Sequence, residues 1–212
     1  MSAERNTKQL ILEKALDLFS QKGFQAVSTR EIAEAVGVQK GALYNHFKNK
    51  QDIFDSLLFV VEEHIKQMNS DYASMTLMGE KSLQSLEQLT TLSKDDLIDL
   101  SCKMLECYLT DNVIMKFRRM YMIEQYSNED ARKKYQTIFV DSMIDRVTVM
   151  NQHLMDIGVY KKSDPRELAV WYFAPSFLLM NRYDGGESDI SEITSLLRGC
   201  LEHFMNEVYI EK

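Results

Sequence analysis

The sequence predicts an all-α protein, on three observations. Apolar residues recur at spacings of three and four along most of the chain. Only two prolines, Pro165 and Pro175, and eight glycines interrupt 212 residues. Helix-start signals, a Ser, Asn or Asp with an acid three positions on, separate one periodic stretch from the next. With 45% hydrophobic residues the chain can bury a substantial core. No uninterrupted apolar run approaches the length of a membrane span, and the N-terminus MSAERNTKQL lacks the layout of a signal peptide, so a cytoplasmic protein without membrane contact is expected. Cys102, Cys107 and Cys200, odd in number and without CxxC spacing, read as small core residues in a reducing compartment.

The elements follow in order. Leu10, Ile11, Ala15, Leu18 and Phe19 mark a first helix over 7–22, ended by Lys22-Gly23. Ser28 and Glu31 form a capping box that opens a second helix to Val36, with Val27 and Ile32 as its hydrophobic staple. Gly37-Val38 makes a turn, a third helix spans 39–47, and Asn49 caps a fourth reaching about Met68. Less sharply bounded helices are expected over 82–92, from Ser93, and from Asp111 or Asn112 toward Gln125. Asn128 then caps one long helix ending at Gly158, Asp164-Pro165 opens another running to about Tyr183, and Ser188 or Asp189 caps the last, after a turn at Asp184-Gly185-Gly186. About nine helices result, the final two an antiparallel hairpin apolar enough to want a partner.

Charge divides the chain. Net charge is −7, yet residues 1–50 carry eight basic and five acidic side chains, a head of +3 on a body of −10. Nucleic acid would be held at the head and repelled by the body. Two short helices joined by a glycine turn suit a second helix to enter a DNA major groove. In that second helix Gln39, Lys40, Ala42, Asn45 and Lys48 face outward, while Val38, Leu43 and Phe47 anchor the back. Gly41 costs about 1 kcal/mol relative to Ala inside a helix, so a close approach there is its expected justification.

The stretch ALDLFSQKGFQAV at 15–27, followed by STREIAEAVGVQKGALYNHFKNKQDIF at 28–54, resembles the TetR family of repressors. The resemblance covers roughly residues 7–60. It implies an all-helical homodimer, with a three-helix DNA-binding domain (1–50) and a larger helical ligand-binding and dimerisation domain (51–212) closed by the last two helices. Carried across by position, Ser28, Thr29, Tyr44, His46 and Lys50 would clamp phosphates of double-stranded operator DNA. Gln39, Lys40, Ala42 and Asn45 would face bases, with Gly41 allowing close approach and Arg30 serving either set; Lys48 adds to the basic patch. Gln39 departs from the Ser or Thr common at its position, which removes a helix cap, and Val27 and Thr29 depart from the common order.

The body offers a Met and aromatic mixture that fits either plain core or an adaptable apolar pocket: Met104, Tyr108, Phe117, Tyr121, Met143, Met150, Trp171 and Phe177. A small hydrophobic or amphipathic ligand is expected. An inward Glu106, Glu124 or Asp141 would favour a cation, and an inward Arg118 or Arg119 an acid. Arg118-Arg119 otherwise reads as a solvated face. His64, His153 and His203 lie apart without metal-ligand spacing, and no cofactor is called for. Absence of a phosphate-cradling glycine loop or a G-x-S-x-G elbow argues against an enzyme. The function expected is a ligand-released repressor on a palindromic operator, ligand acting by a tilt of the helix that begins at Lys50. The alternative is a DNA-binding regulator whose body serves only dimerisation or protein interaction.

Overall fold

The structure, a computed structural model, describes residues 2–76, 93–184 and 189–210, with side chains over 7–67, 93–184 and 189–210. The helix expected over 82–92 and the turn at Gly185-Gly186 lie outside the described residues. Ten α-helices and one π turn make up the rest: α1 Ser2–Lys22, α2 Thr29–Val36, α3 Lys40–Leu43, α4 Lys50–Thr76, α5 Lys94–Thr110, α6 Asn112–Glu124, α7 Glu129–Gln136, the π turn Thr137–Asp141, α8 Ser142–Asp156, α9 Pro165–Arg182 and α10 Ile190–Val208. No helix among the described residues is long and apolar enough to cross a membrane.

Local chemistry sets most boundaries. Ser28 and Glu31 exchange both bonds of the capping box, and Gly37 ends α2 in the left-handed region at φ +78°. Ser93 and Asp96 form a second box at α5. Asn128, Asp164 and Asp189 each accept backbone N–H groups of the helices they open. α9 runs unbroken through Pro175. The helix expected without interruption from Asn128 to Gly158 begins and ends as expected, but the π turn lies inside it, and it buries Phe139. A π turn widens the hydrogen-bonded ring by one residue, so the apolar face beyond it is rotated relative to a straight 3.6-residue helix.

The chain forms two compact units, Met1–Lys66 with Asn112–Thr137, and Gln67–Asp111 with Ile138–Lys212. The first unit is discontinuous in sequence because α1 packs chiefly on α6, far along the chain. In the first unit, Ile11, Ala15 and Phe19 of α1, Ile32 of α2, Leu43 of α3, Ile53 of α4 and Ile114 and Phe117 of α6 are fully buried. Phe19, Phe24 and Phe54 form a three-ring cluster with centroids 4.8–6.0 Å apart. Arg118 is fully buried, not on a solvated face as expected. In the second unit one core joins α5, α8, α9 and α10 through Ile98, Leu105, Val147, Leu154, Leu168, Leu197 and Phe204. A two-residue antiparallel bridge between Tyr160 and Tyr209 pins the end of α10 to the loop after α8.

Gly23 illustrates the packing constraint on the first unit. Its φ is +81°, and an added Cβ would stand 2.9 Å from both Glu124 Oε1 and Ile123 Cγ2. Gly158 has a similar φ, +75°, with open space around it. Gly158→Ala should therefore lose about 1 kcal/mol in urea unfolding from backbone strain alone, and Gly23→Ala about 2–3 kcal/mol. Equal losses would mean that the contact with α6 contributes nothing.

Candidate nucleic-acid interface and body cavity

The first helix-turn-helix element, α2, starts at Ser28 and Thr29, where the positive end of its dipole is a favourable place for an anion although the capping box already uses the Ser28 and Glu31 N–H groups. The Thr29 hydroxyl lies 3.5 Å from the Tyr44 hydroxyl, so two groups expected to touch phosphate are adjacent although 15 residues apart. The Lys40 ammonium sits 5.9 Å from the Tyr44 ring centroid. Ser28, Arg30, Gln39, Lys40, Gly41, Tyr44, Asn45 and Lys48 are exposed, and Thr29, Ala42 and His46 are half-buried. Arg30 is engaged by Glu34 at 2.8 Å, an exposed pair that can open toward another anion. Gln39 holds the cap position of α3 without a side-chain hydrogen bond, as the departure at that position implied. α3 proper is only four residues, with turns continuing to Phe47, so the expected span 39–47 is part helix and part turn. Gly41 meets nothing within 4 Å of an added Cβ, so no contact inside the chain requires glycine there.

Lys50, expected among the phosphate contacts, is engaged inside the chain. Its ammonium donates to the carbonyls of Phe24 at 2.7 Å, Val27 at 2.9 Å and Gln25 at 3.3 Å, and lies 4.3 Å from the Phe24 ring centroid. Desolvation lowers its proton affinity, opposed by the charges of Glu124 and Glu31. All three ammonium protons are committed to the α1–α2 loop, so this lysine positions Ser28 and Thr29. Glu124 holds the same loop from α6, taking the Gln25 N–H at 3.3 Å. Sequence reasoning placed no role on Glu124 at this loop, since no local pattern links residues 99 apart.

Glu31 couples the same region to pH. The Lys22 ammonium at 2.9 Å and the Ser28 N–H at 2.8 Å pull its carboxyl down to about 2. In an unfolded chain the group titrates near ~4.3. Its stabilising contribution is therefore complete above that pH and is lost as pH falls toward about 2.

In the second unit a cavity of about 50 Å³ is lined by residues of α5, the π turn, α8 and α9. Of the residues expected at a ligand pocket, Met104, Tyr108 and Met143 line this cavity; Ser101, Leu105, Phe139, Val147, Tyr172, Phe173, Ser176 and Met180 complete it. The other five residues expected there do not reach it. Phe117 and Tyr121 belong to the first unit, edge to face at 4.9 Å. Met150 is core, Trp171 is 46% exposed against Phe204, and Phe177 packs on the core beside Phe173. Helical periodicity identified apolar faces but could not assign them to one unit or the other. Hydroxyls of Ser101, Tyr108, Tyr172 and Ser176 are the polar groups of the lining, Ser101 and Tyr172 hydrogen-bonded to each other. Neither Glu106, Asp141 nor Arg119 lines the cavity.

Two measurements follow from this geometry. Lys50→Met should lower stability by about 2–3 kcal/mol in urea unfolding, because three loop carbonyls lose a charged donor; a change under 0.5 kcal/mol would mean that the ammonium is not structural. For Glu31→Gln, the stability deficit relative to the parent should hold from pH 7 to about 5 and shrink between about 4.5 and 2. A deficit independent of pH would show that the carboxylate charge plays no part.

Residues 11–57 match the family model described as bacterial regulatory proteins, tetR family. The HTH-type transcriptional regulator AcrR of Shigella flexneri is 44% identical over 68 residues, 32% of this chain and 32% of that protein. The HTH-type transcriptional repressor KstR2 of Rhodococcus jostii is 30% identical over 92 residues, 43% of this chain and 44% of that one. The chain thus spans about a third to under half the length of these curated relatives. A crystal structure from Mesorhizobium loti, assigned to the TetR-family transcriptional regulators, superposes with a TM-score of 0.70 at 17% identity, covering 97% of this chain and 98% of that one, a likeness of fold. The N-terminal residues 11–57 thus match the tetR family model, and the described residues share the all-helical fold of the solved structure.

Proposed function

We propose that the chain is a dimeric, ligand-responsive repressor that binds a palindromic operator with α2 and α3. The observation that carries this reading is the exposed polar surface on which the N-terminus of α2, the Thr29 and Tyr44 hydroxyls, Lys40 and the open Gly41 lie together. The reading head is residues 1–50 and the remainder serves sensing and dimerisation. Ser28, Thr29, Tyr44 and His46 hold phosphate, with Lys50 acting through the loop it ties. Gln39, Lys40, Ala42 and Asn45 face bases, and Arg30 and Lys48 add charge. An exposed apolar stripe of Val170, Trp171 and Leu178 on α9 and Leu196 on α10 supports pairing of two copies through the last two helices. The name of KstR2 as a repressor supports the sense of regulation.

The ligand in this reading is small, apolar and uncharged, because the cavity of the second unit is lined by methionines, aromatics and neutral hydroxyls. At about 50 Å³ it must open to admit an organic molecule, which typically needs about 300 Å³ or more. Met104, Met143 and Met180 are unbranched and can repack to allow that opening. Release would follow from a tilt of α4 that changes the spacing of the two heads on a rigid duplex. The small cavity volume also favours a second reading, in which the body dimerises and takes no small molecule.

Binding-site selection with the full chain tests the proposal: a palindromic sequence should be enriched, and failure to enrich any sequence overturns it. Tyr44→Phe should weaken binding about fivefold on all sequences alike, while Lys40→Ala relaxes preference at one position. Gly41→Ala should raise stability by up to about 1 kcal/mol yet weaken operator binding, since only an approaching molecule needs the space. If Gly41→Ala leaves operator affinity intact, α3 does not make the close approach assigned to it.

A further inference from the structure

We propose that a groove in the first unit binds a small organic cation, a primary ammonium carrying an apolar or aromatic group. The groove has a volume of about 480 Å³, far larger than the cavity of the second unit. Its walls come from Phe24 in the α1–α2 loop, Phe54 and Asp55 of α4, Tyr121 and Glu124 of α6, and exposed groups of α7.

The chemistry of the walls selects the charge. Glu124 is 3% exposed, and while Oε1 accepts the Gln25 N–H, Oε2 accepts no hydrogen bond from any described residue. The Tyr121 hydroxyl, on a residue 1% exposed, also makes none among the described residues. A buried carboxylate oxygen without a donor is costly, and the nearby Lys50 ammonium already gives its protons to three carbonyls. Asp55 adds a second carboxylate to the wall. An anion would meet both, and a neutral apolar molecule would leave Oε2 unsatisfied. An ammonium supplies N–H donors and positive charge together. The Phe24 and Phe54 rings, 4.8 Å apart and inclined at 59°, supply apolar wall for the attached group. On α7 the lining also carries Asp130, Lys133 and Lys134, so the rim holds both signs of charge; Lys133 is paired with Glu129 at 3.1 Å, and the buried Glu124 lies among the deep walls.

The test uses the full chain, 15N-labelled, titrated at constant ionic strength with benzylammonium chloride, benzyl alcohol and benzoate. The Gln25 amide is the reporter, because its proton is held by Glu124. Benzylammonium should shift that signal saturably and bind at least about tenfold more tightly than benzyl alcohol, with benzoate producing no saturable shift. Glu124→Gln should weaken benzylammonium at least about tenfold; Asp55→Asn, at an exposed position, should weaken it severalfold and provides the second variant should Glu124→Gln fail to fold. The proposal is overturned if no titrant shifts Gln25 saturably, if benzyl alcohol binds as well as benzylammonium, if the shifts fall only on α5, α8 and α9, or if Asp55→Asn binds like the parent.

Discussion

The ammonium of Lys50, held in three carbonyls of the loop between α1 and α2, is the constraint on which the helix-turn-helix of the first unit depends. A loop of residues 23–27 has few partners of its own, and its carbonyls would otherwise point into a partly dry space against the Phe19, Phe24 and Phe54 rings. A single cation at the first residue of α4 satisfies three of them and stacks on Phe24. Glu124 closes the loop from the opposite side by taking the Gln25 N–H and pressing against Gly23. The start of α2, with the Ser28 cap and the Thr29 hydroxyl, is therefore set by charges contributed from α4 and α6.

That arrangement separates two jobs a basic patch can do. Lys50 is internal to the fold, whereas Lys40 and Lys48 project from it. The groups left at the N-terminus of α2 for an anion are N–H donors, hydroxyls and a helix dipole, which orient a phosphate without adding a formal charge. A body of strongly acidic composition makes such local positioning more important, because the long-range field of the whole chain does not favour nucleic acid.

What was legible in the sequence was what depends on near neighbours. The caps at Ser28, Ser93, Asn128, Asp164 and Asp189 involve residues two or three apart, and each stands where its spacing placed it. The outward and inward faces of residues 38–47 were legible for the same reason. What was not legible depends on distant partners. The ion pair of Lys116 with Asp17 at 2.5 Å, the tie of Glu124 to Gln25 and the commitment of Lys50 all join segments that only the fold brings together. Phe117 and Tyr121 have the composition of a ligand box, yet α6 carries them into the first unit, away from the cavity of the second, with Tyr121 against the groove beside Glu124. The π turn at Thr137–Asp141 was hidden because its residues also suit a regular helix.

The salt dependence of DNA affinity for Lys50→Gln tests most directly whether this lysine supports the loop or clamps a phosphate. A lysine that touches DNA releases a counterion, so its loss lowers the slope of log K against log salt by about 0.9. A lysine that positions neutral donors leaves the slope unchanged while affinity falls by the same factor at every salt concentration. The account predicts parallel lines for parent and variant. A slope reduced by about 0.9 would place the Lys50 ammonium on the DNA backbone and contradict it.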